Sequence, residues 1–189
     1  MATAAPFMNE TRIDIRLDLL RANLAALQSA AAPAAQLVVM VKADAYGHGL
    51  HLVAPTAWAC GVRRFAAFHA EEAVRLRTLL PQADILWIGA AEPDALPFIL
   101  EHRLVPLLFT SEQARGLAEA AARRGTALTA HAKIDTGMGR LGFAWETAAA
   151  DLLTLAERPG LTLAGACTHL ACAGTDAAFT ALQMDRFRG

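Results

Sequence analysis

The chain has 189 residues, 55% hydrophobic and 19% charged, with a formal net charge of −1. That is enough for one ordinary domain with a sizeable core, and it excludes a disordered chain. The balanced charge offers no basic field for nucleic acid or an anionic membrane.

The three cysteines, Cys60, Cys167 and Cys172, have neither disulfide-framework nor metal-ligand spacing. They predict reduced thiols in a cytoplasmic protein and no metal site. Met1-Ala2-Thr3-Ala4-Ala5-Pro6 has no basic region before an apolar core, so no signal peptide is expected. No apolar run approaches the ~20 residues of a membrane span.

Ile13-Asp14-Ile15 alternates, as a short strand or the lead into a helix. Helical spacing then covers residues 17–31, with Leu17, Leu20, Leu24 and Leu27 on one face. Asp14 or Asp18 is expected to cap or charge its first turn, and Pro33 to end it. Residues 37–41 are a continuous apolar run, the form of a strand buried on both faces. Residues 51–59 predict a helix, 65–68 a strand, 71–80 a helix with an acidic first turn, and 85–89 a strand. Glu92-Pro93-Asp94 opens a helix reaching about residue 101, and 104–109 is a strand. Thr110 or Ser111 caps a helix that runs to Arg124. Residues 127–134 are a strand, 147–157 a helix, 161–167 a sixth strand, and 176–188 a final helix.

Buried strands alternating with amphipathic helices mean a parallel sheet with right-handed crossovers. An open doubly wound sheet and a closed barrel both fit. No Gly-x-Gly-x-x-Gly follows a strand, which argues against a dinucleotide-binding fold. A full barrel needs eight strand–helix units and about 250 residues, so six strands stop short of closure.

Three strand tips carry chemistry. The first is Val41-Lys42-Ala43-Asp44-Ala45-Tyr46-Gly47-His48-Gly49. A lysine at a strand tip is ordinarily solvated. This one is followed by two glycines that let the backbone approach a ligand, and by the polar tips of Tyr46 and His48. Burial lowers a lysine pKa readily, and a neutral amine can form a Schiff base with an aldehyde cofactor. Asp44 and His48 are expected to shape this turn or support the lysine.

The second tip is Lys133-Ile134-Asp135-Thr136-Gly137-Met138-Gly139-Arg140-Leu141-Gly142-Phe143. Its glycines free a loop from which Arg140 projects a guanidinium suited to a carboxylate or phenolate. The third is Gly165-Ala166-Cys167-Thr168-His169-Leu170-Ala171, where a histidine can stack on an aromatic cofactor or donate a hydrogen bond. His131, two residues before Lys133, shares its strand face and is a weaker supporting candidate. Glu71-Glu72 reads as a favourable helix N-terminus rather than a catalytic pair.

These strings resemble the alanine racemases, the pyridoxal 5'-phosphate (PLP) enzymes that interconvert L- and D-alanine. Residues 42–49 are similar to the family's cofactor-attachment motif, and residues 133–143 to its arginine loop. Thr168-His169-Leu170-Ala171 is similar to the family's Thr-His-Phe-Ala, with Leu170 replacing the usual phenylalanine. Residues 179–187 are similar to the helix that follows, in their Gln and Arg-Phe spacing.

The resemblance implies a (β/α)8 TIM-type barrel, with residues 1–189 forming an incomplete PLP-binding N-terminal barrel domain and the family's C-terminal β domain outside the chain. Lys42 is then the Schiff-base lysine and one of two bases. Tyr46 contacts the cofactor phosphate, and His169 lies beneath its ring. Arg140 contacts the phenolic oxygen and the substrate carboxylate, and a carbamylated Lys133 holds Arg140. The second base is a tyrosine from the partner subunit of a homodimer. The activity is cytoplasmic supply of D-alanine for peptidoglycan. The alternatives are a serine or broad-specificity racemase and a non-racemising PLP-binding barrel. By itself the 189-residue chain is expected to show little or no racemisation, because its only tyrosine is Tyr46, and to fold poorly, because an open barrel leaves strand edges and apolar surface exposed.

Overall fold

The computed structural model describes residues 13–189. The leader reading of the first six residues lies outside them. Ile13-Asp14-Ile15 is the lead into helix α1 (Leu17–Ala30), whose first turn Asp18 charges as expected. Its N-cap is Arg16, in an ion pair with Asp18 of the first turn at 2.6 Å. Only Leu24 of the expected apolar face is buried, and Leu27 is 57% exposed. The helix packs mainly on α3, so a single row of side chains suffices.

The remaining chain alternates strand and helix. In order come β1 (Val38–Met40), the short turn α2 (Lys42–Tyr46), α3 (Leu50–Ala59), β2 (Arg64–Ala67), α4 (Ala70–Leu79) and β3 (Asp84–Trp87). A 3-10 turn (Pro93–Ala95) leads into α5 (Leu96–Glu101), followed by β4 (Leu104–Leu108) and α6 (Ser111–Arg123), which Thr110 caps by accepting from the Gln113 N–H at 3.1 Å. Then follow β5 (Leu128–Asp135), the two-residue β6 (Phe143–Ala144), α7 (Ala148–Ala156), β7 (Leu161–Cys167) and α8 (Ala177–Arg188). The sequence patterns miss β6, which is too short for periodicity to mark.

Every strand pairing is parallel, and the order is β1-β2-β3-β4-β5-β7, with β6 also on β5. This order decides between the two sheet architectures. A doubly wound sheet reverses its strand order and so has helices on both faces. A strictly sequential parallel order with right-handed crossovers puts every helix on one face. The opposite face is then the interior of a partial TIM-type barrel.

Alternation along the strands separates the two faces. Phe65 and Ile85 are register partners, both fully buried toward the helices. Met40, Ala66, Leu86 and Val105 form the adjacent inward row through successive register pairs. Lys42, two residues after Met40 and past the strand's end, opens on the same side as Met40. The run at residues 37–41 is not buried on both faces as expected: Val38 is 46% exposed. Among the described residues β1 pairs only with β2, so one flank of the strand has no neighbour. No helix among the described residues is long and apolar enough to cross a membrane.

Candidate active site

The Lys42 strand tip has an unusual backbone. Ala43, Asp44, Ala45 and Tyr46 all have positive φ, between 52° and 58°. They make one left-handed turn, closed by Ala45 N–H to the Val41 carbonyl and Gly47 N–H to the Ala43 carbonyl, both 2.9 Å. For L-residues such a turn costs about 1–2 kcal/mol per residue, so surrounding structure must hold it. Asp44 Oδ1 accepts the Leu50 N–H at 2.9 Å and pairs with Arg75 at 3.3 Å. His48 Nδ1 lies 2.9 Å from the Ala45 carbonyl. Both side chains therefore shape the turn. Glu72, buried on α4, accepts the Ala43 N–H.

Lys42 itself is half-buried, with its Nζ 5.7 Å from the Tyr46 ring centroid. Tyr46 is 59% exposed and, unlike Lys42, does not line the cavity described below. The buried lysine is Lys133, at 8% exposure, whose Nζ donates to the Ile134 carbonyl at 3.0 Å. Burial pushes its pKa down and the nearby Arg140 charge adds to this, against opposing effects of Cys167 and Asp135. Cys167 is the register partner of Lys133 on β7. Burial pushes its thiol pKa up, against the Lys133 charge.

Arg140 is placed by a loop folded on Asp135. Asp135 Oδ1 accepts the N–H groups of Gly137 (2.9 Å) and Gly139 (3.1 Å), and Oδ2 accepts that of Arg140 (2.9 Å). Burial acts to raise the Asp135 pKa, but these donors outweigh it and hold the carboxyl below its usual range. Gly142 has φ 129°, and a Cβ there would lie 2.7 Å from the Lys133 carbonyl oxygen. The glycine lets the loop return against β5.

His169 follows β7 and is fixed through its backbone by α8. Gln183, wholly buried, donates from Nε2 to the His169 carbonyl and to Thr136 Oγ1, both at 3.1 Å. Its Oε1 accepts the Ala171 N–H at 2.8 Å. Thr136 and Thr168 hydroxyls lie 2.8 Å apart, and Thr168 donates to the Ile134 carbonyl at 2.9 Å. Arg186 donates to the Thr136 carbonyl at 2.9 Å and stacks over Trp145. Helix α8 thus joins the arginine loop to the histidine loop.

The three tips open on one cavity of about 430 Å³. Lys42, Lys133, Arg140 and His169 all line it, with Phe68, Phe109 and Met40 among its apolar walls. His131 lies deeper on β5, and burial, aided by the Arg64 charge, lowers its pKa. Gly165 leaves room for its ring, since a Cβ there would meet His131 at 3.0 Å. Sequence reasoning missed Glu72 and Gln183 as parts of the site's support. Glu72 was legible only as helix-end charge, and Gln183 only as motif spacing.

The arrangement combines a primary amine, a guanidinium, an imidazole and flat apolar walls at the C-terminal ends of parallel strands. This is a partial (β/α) barrel with its reactive groups at the strand tips, the site position of barrel enzymes. The chain belongs to the alanine racemase N-terminal domain family, whose model matches residues 15–189. Over 182 residues it is 34% identical to an alanine racemase of Syntrophobacter fumaroxidans, covering 96% of this chain and 48% of that protein. Its fold is similar to the alanine racemase of Clostridium difficile, with TM-score 0.84 and 28% identity, over 91% of this chain and 46% of that one. It is also similar to a histidine racemase from Leuconostoc mesenteroides, with TM-score 0.81 and 25% identity, over 91% and 46% of the two chains. The chain spans about half the length of the relatives it matches.

Proposed function

We propose that this chain is the cofactor-binding part of a PLP-dependent alanine racemase. The observation that carries the reading is the convergence of Lys42, Arg140 and His169, from three separate strand tips, on one cavity. The donor set fits the group. An aldehyde needs an amine, which Lys42 supplies, and an aromatic ring needs flat walls and an imidazole, which Phe68, Phe109 and His169 supply. A phenolate needs a fixed cation, which Arg140 supplies, and the Tyr46 hydroxyl is free to donate to a phosphate. When bound, PLP supplies the electron sink that acidifies a substrate Cα proton.

The chain's own groups then have distinct tasks. Lys42 Nζ would hold the cofactor aldehyde, and as a free amine it would take or return a substrate Cα proton on its own face. Arg140 holds the substrate carboxylate. Lys133, with its lowered pKa, is a nucleophilic amine suited to carbon dioxide, and its carbamate would be an anion facing Arg140. Racemisation needs a second base on the opposite face, and that base comes from outside these residues, in a second copy of the full-length protein. The product is D-alanine made in the cytoplasm for peptidoglycan.

A second reading keeps the site and changes the substrate. The likeness to a histidine racemase favours it, because the same barrel half serves a larger side chain there. One experiment tests the attachment and the substrate together. The chain is incubated with PLP, reduced with borohydride and mapped by mass spectrometry. The expected adduct is on Lys42 and is absent in Lys42→Ala. An adduct on Lys133 instead, or none, would sink the reading. Chiral chromatography of a protein extended to its relatives' full length, after incubation with L-alanine, L-serine or L-histidine, then ranks the substrates.

A further inference from the structure

Glu72 is a buried carboxylate with no task in the chemistry above. It is 7% exposed, and burial acts to raise its pKa. The backbone N–H groups of His69, Phe68, Ala43 and Asp44 outweigh that effect and hold its pKa below the usual carboxylate range.

The two oxygens are divided between two strand ends. Oε2 accepts the N–H groups of Phe68 (3.1 Å) and His69 (3.0 Å), next to the start of its own helix. Oε1 accepts the N–H of Ala43, which is 29 residues away and directly follows Lys42. The first pair of bonds is ordinary helix N-terminal capping. The second belongs to no cap. It ties the end of β1 to the end of β2, and both Lys42 and Phe68 line the cavity.

The Ala43 bond lies where the backbone most needs support. Ala43 is the first of the four left-handed residues, and nothing in its own side chain favours that conformation. The requirement at position 72 is also chemically narrow. A carboxylate offers acceptors on both oxygens. An amide offers one acceptor and a donating NH₂. Glutamine at 72 would therefore set N–H against N–H at one of its two ends.

We propose that Glu72 is the positioning residue of Lys42: its carboxylate holds the left-handed turn that directs the Lys42 amine into the cavity. This rests on the reading of Lys42 as the attachment amine, so the test has an arm that does not depend on it. In the cofactor-free chain, hydrogen exchange at the amides of residues 43–47 should accelerate about tenfold or more in Glu72→Gln, the scale of one lost charge-assisted bond. Amides of α6 should be unchanged.

With PLP and borohydride, the trapping rate at Lys42 should fall about tenfold in Glu72→Gln. It should recover in part in Glu72→Asp, which keeps two acceptors, and stay unchanged in the exposed neighbour Glu71→Gln. Exchange and trapping both within about twofold of wild type in Glu72→Gln would overturn the proposal. So would a loss of trapping that Glu72→Asp does not relieve, the mark of general destabilisation. If Glu72→Gln does not fold, the wild-type chain decides: an unprotected Ala43 amide overturns the proposal, and a protected one supports it. If wild type traps nothing at Lys42, the attachment reading fails, and the exchange arm still judges Glu72.

Discussion

Gln183 Nε2 donates to the carbonyl of His169 at 3.1 Å, so a side chain on α8 fixes the backbone of a residue that follows β7. The same amide serves Thr136 and Ala171, and it is wholly buried. Gln183→Leu removes all three bonds. At about 1–3 kcal/mol for each unsatisfied group, partly relieved by water entry, we expect a loss of about 3 kcal/mol. Urea unfolding measures it. A loss under about 0.5 kcal/mol would show that α8 does not hold the two loops.

Asp135 repeats the same device on an exposed loop. Its carboxylate gathers three N–H groups, the last being that of Arg140. Asp135→Asn keeps one acceptor and should cost about 1–2 kcal/mol at neutral pH. The folded-state pKa is depressed, so this contribution is complete above the usual carboxylate range and is lost as pH falls through the lowered value. The wild-type and Asp135→Asn stabilities should therefore converge in acid. A gap that persists at the lowest pH where both fold would contradict this.

Lys133 and His131 share one face of β5, and burial lowers both pKa values. A cation with a lowered folded pKa binds fewer protons folded than unfolded, so stability rises with pH across its window. For His131 the rise ends near the ordinary value of ~6.5, and for Lys133 near ~10.4. Lys133→Met should be most favourable relative to wild type below the Lys133 window and lose that advantage through it. His131→Gln should remove only the lower rise. Unfolding midpoints from about pH 5 to about pH 10 read both, and a wild-type curve parallel to Lys133→Met throughout would refute the assignment.

The last glycine of the arginine loop is fixed by space rather than by turn chemistry alone. A Cβ at Gly142 would come within 3.1 Å of three backbone atoms of residues 133–135. Backbone cannot swing aside as a flexible side chain can. Gly142→Ala should cost about 1–3 kcal/mol by overpacking and should displace the Arg140 loop. Thermal unfolding, with proton–nitrogen shifts of residues 135–142, checks both. Unchanged shifts in the variant would mean the close approach is not real.

The sequence by itself determined the alternation of strands and helices, and the three strand tips that bear Lys42, Arg140 and His169. Those signals are local: apolar runs, turn glycines, and residue types that recur within a few positions. The alternation alone left the architecture open, because sequential and reversed strand orders are written with the same pattern; the strand-tip motifs implied the barrel, and the strand order shows it. The tertiary structure decided which lysine is buried. Both lysines stand at a strand end in the sequence, yet β5 has strands on either side while β1 has one neighbour among the described residues. The supports were the least legible part. Glu72 meets Ala43 across 29 residues, and Gln183 meets Thr136 across 47. A hydrogen bond between distant segments leaves no periodicity in the chain, so only the folded backbone reveals these contacts.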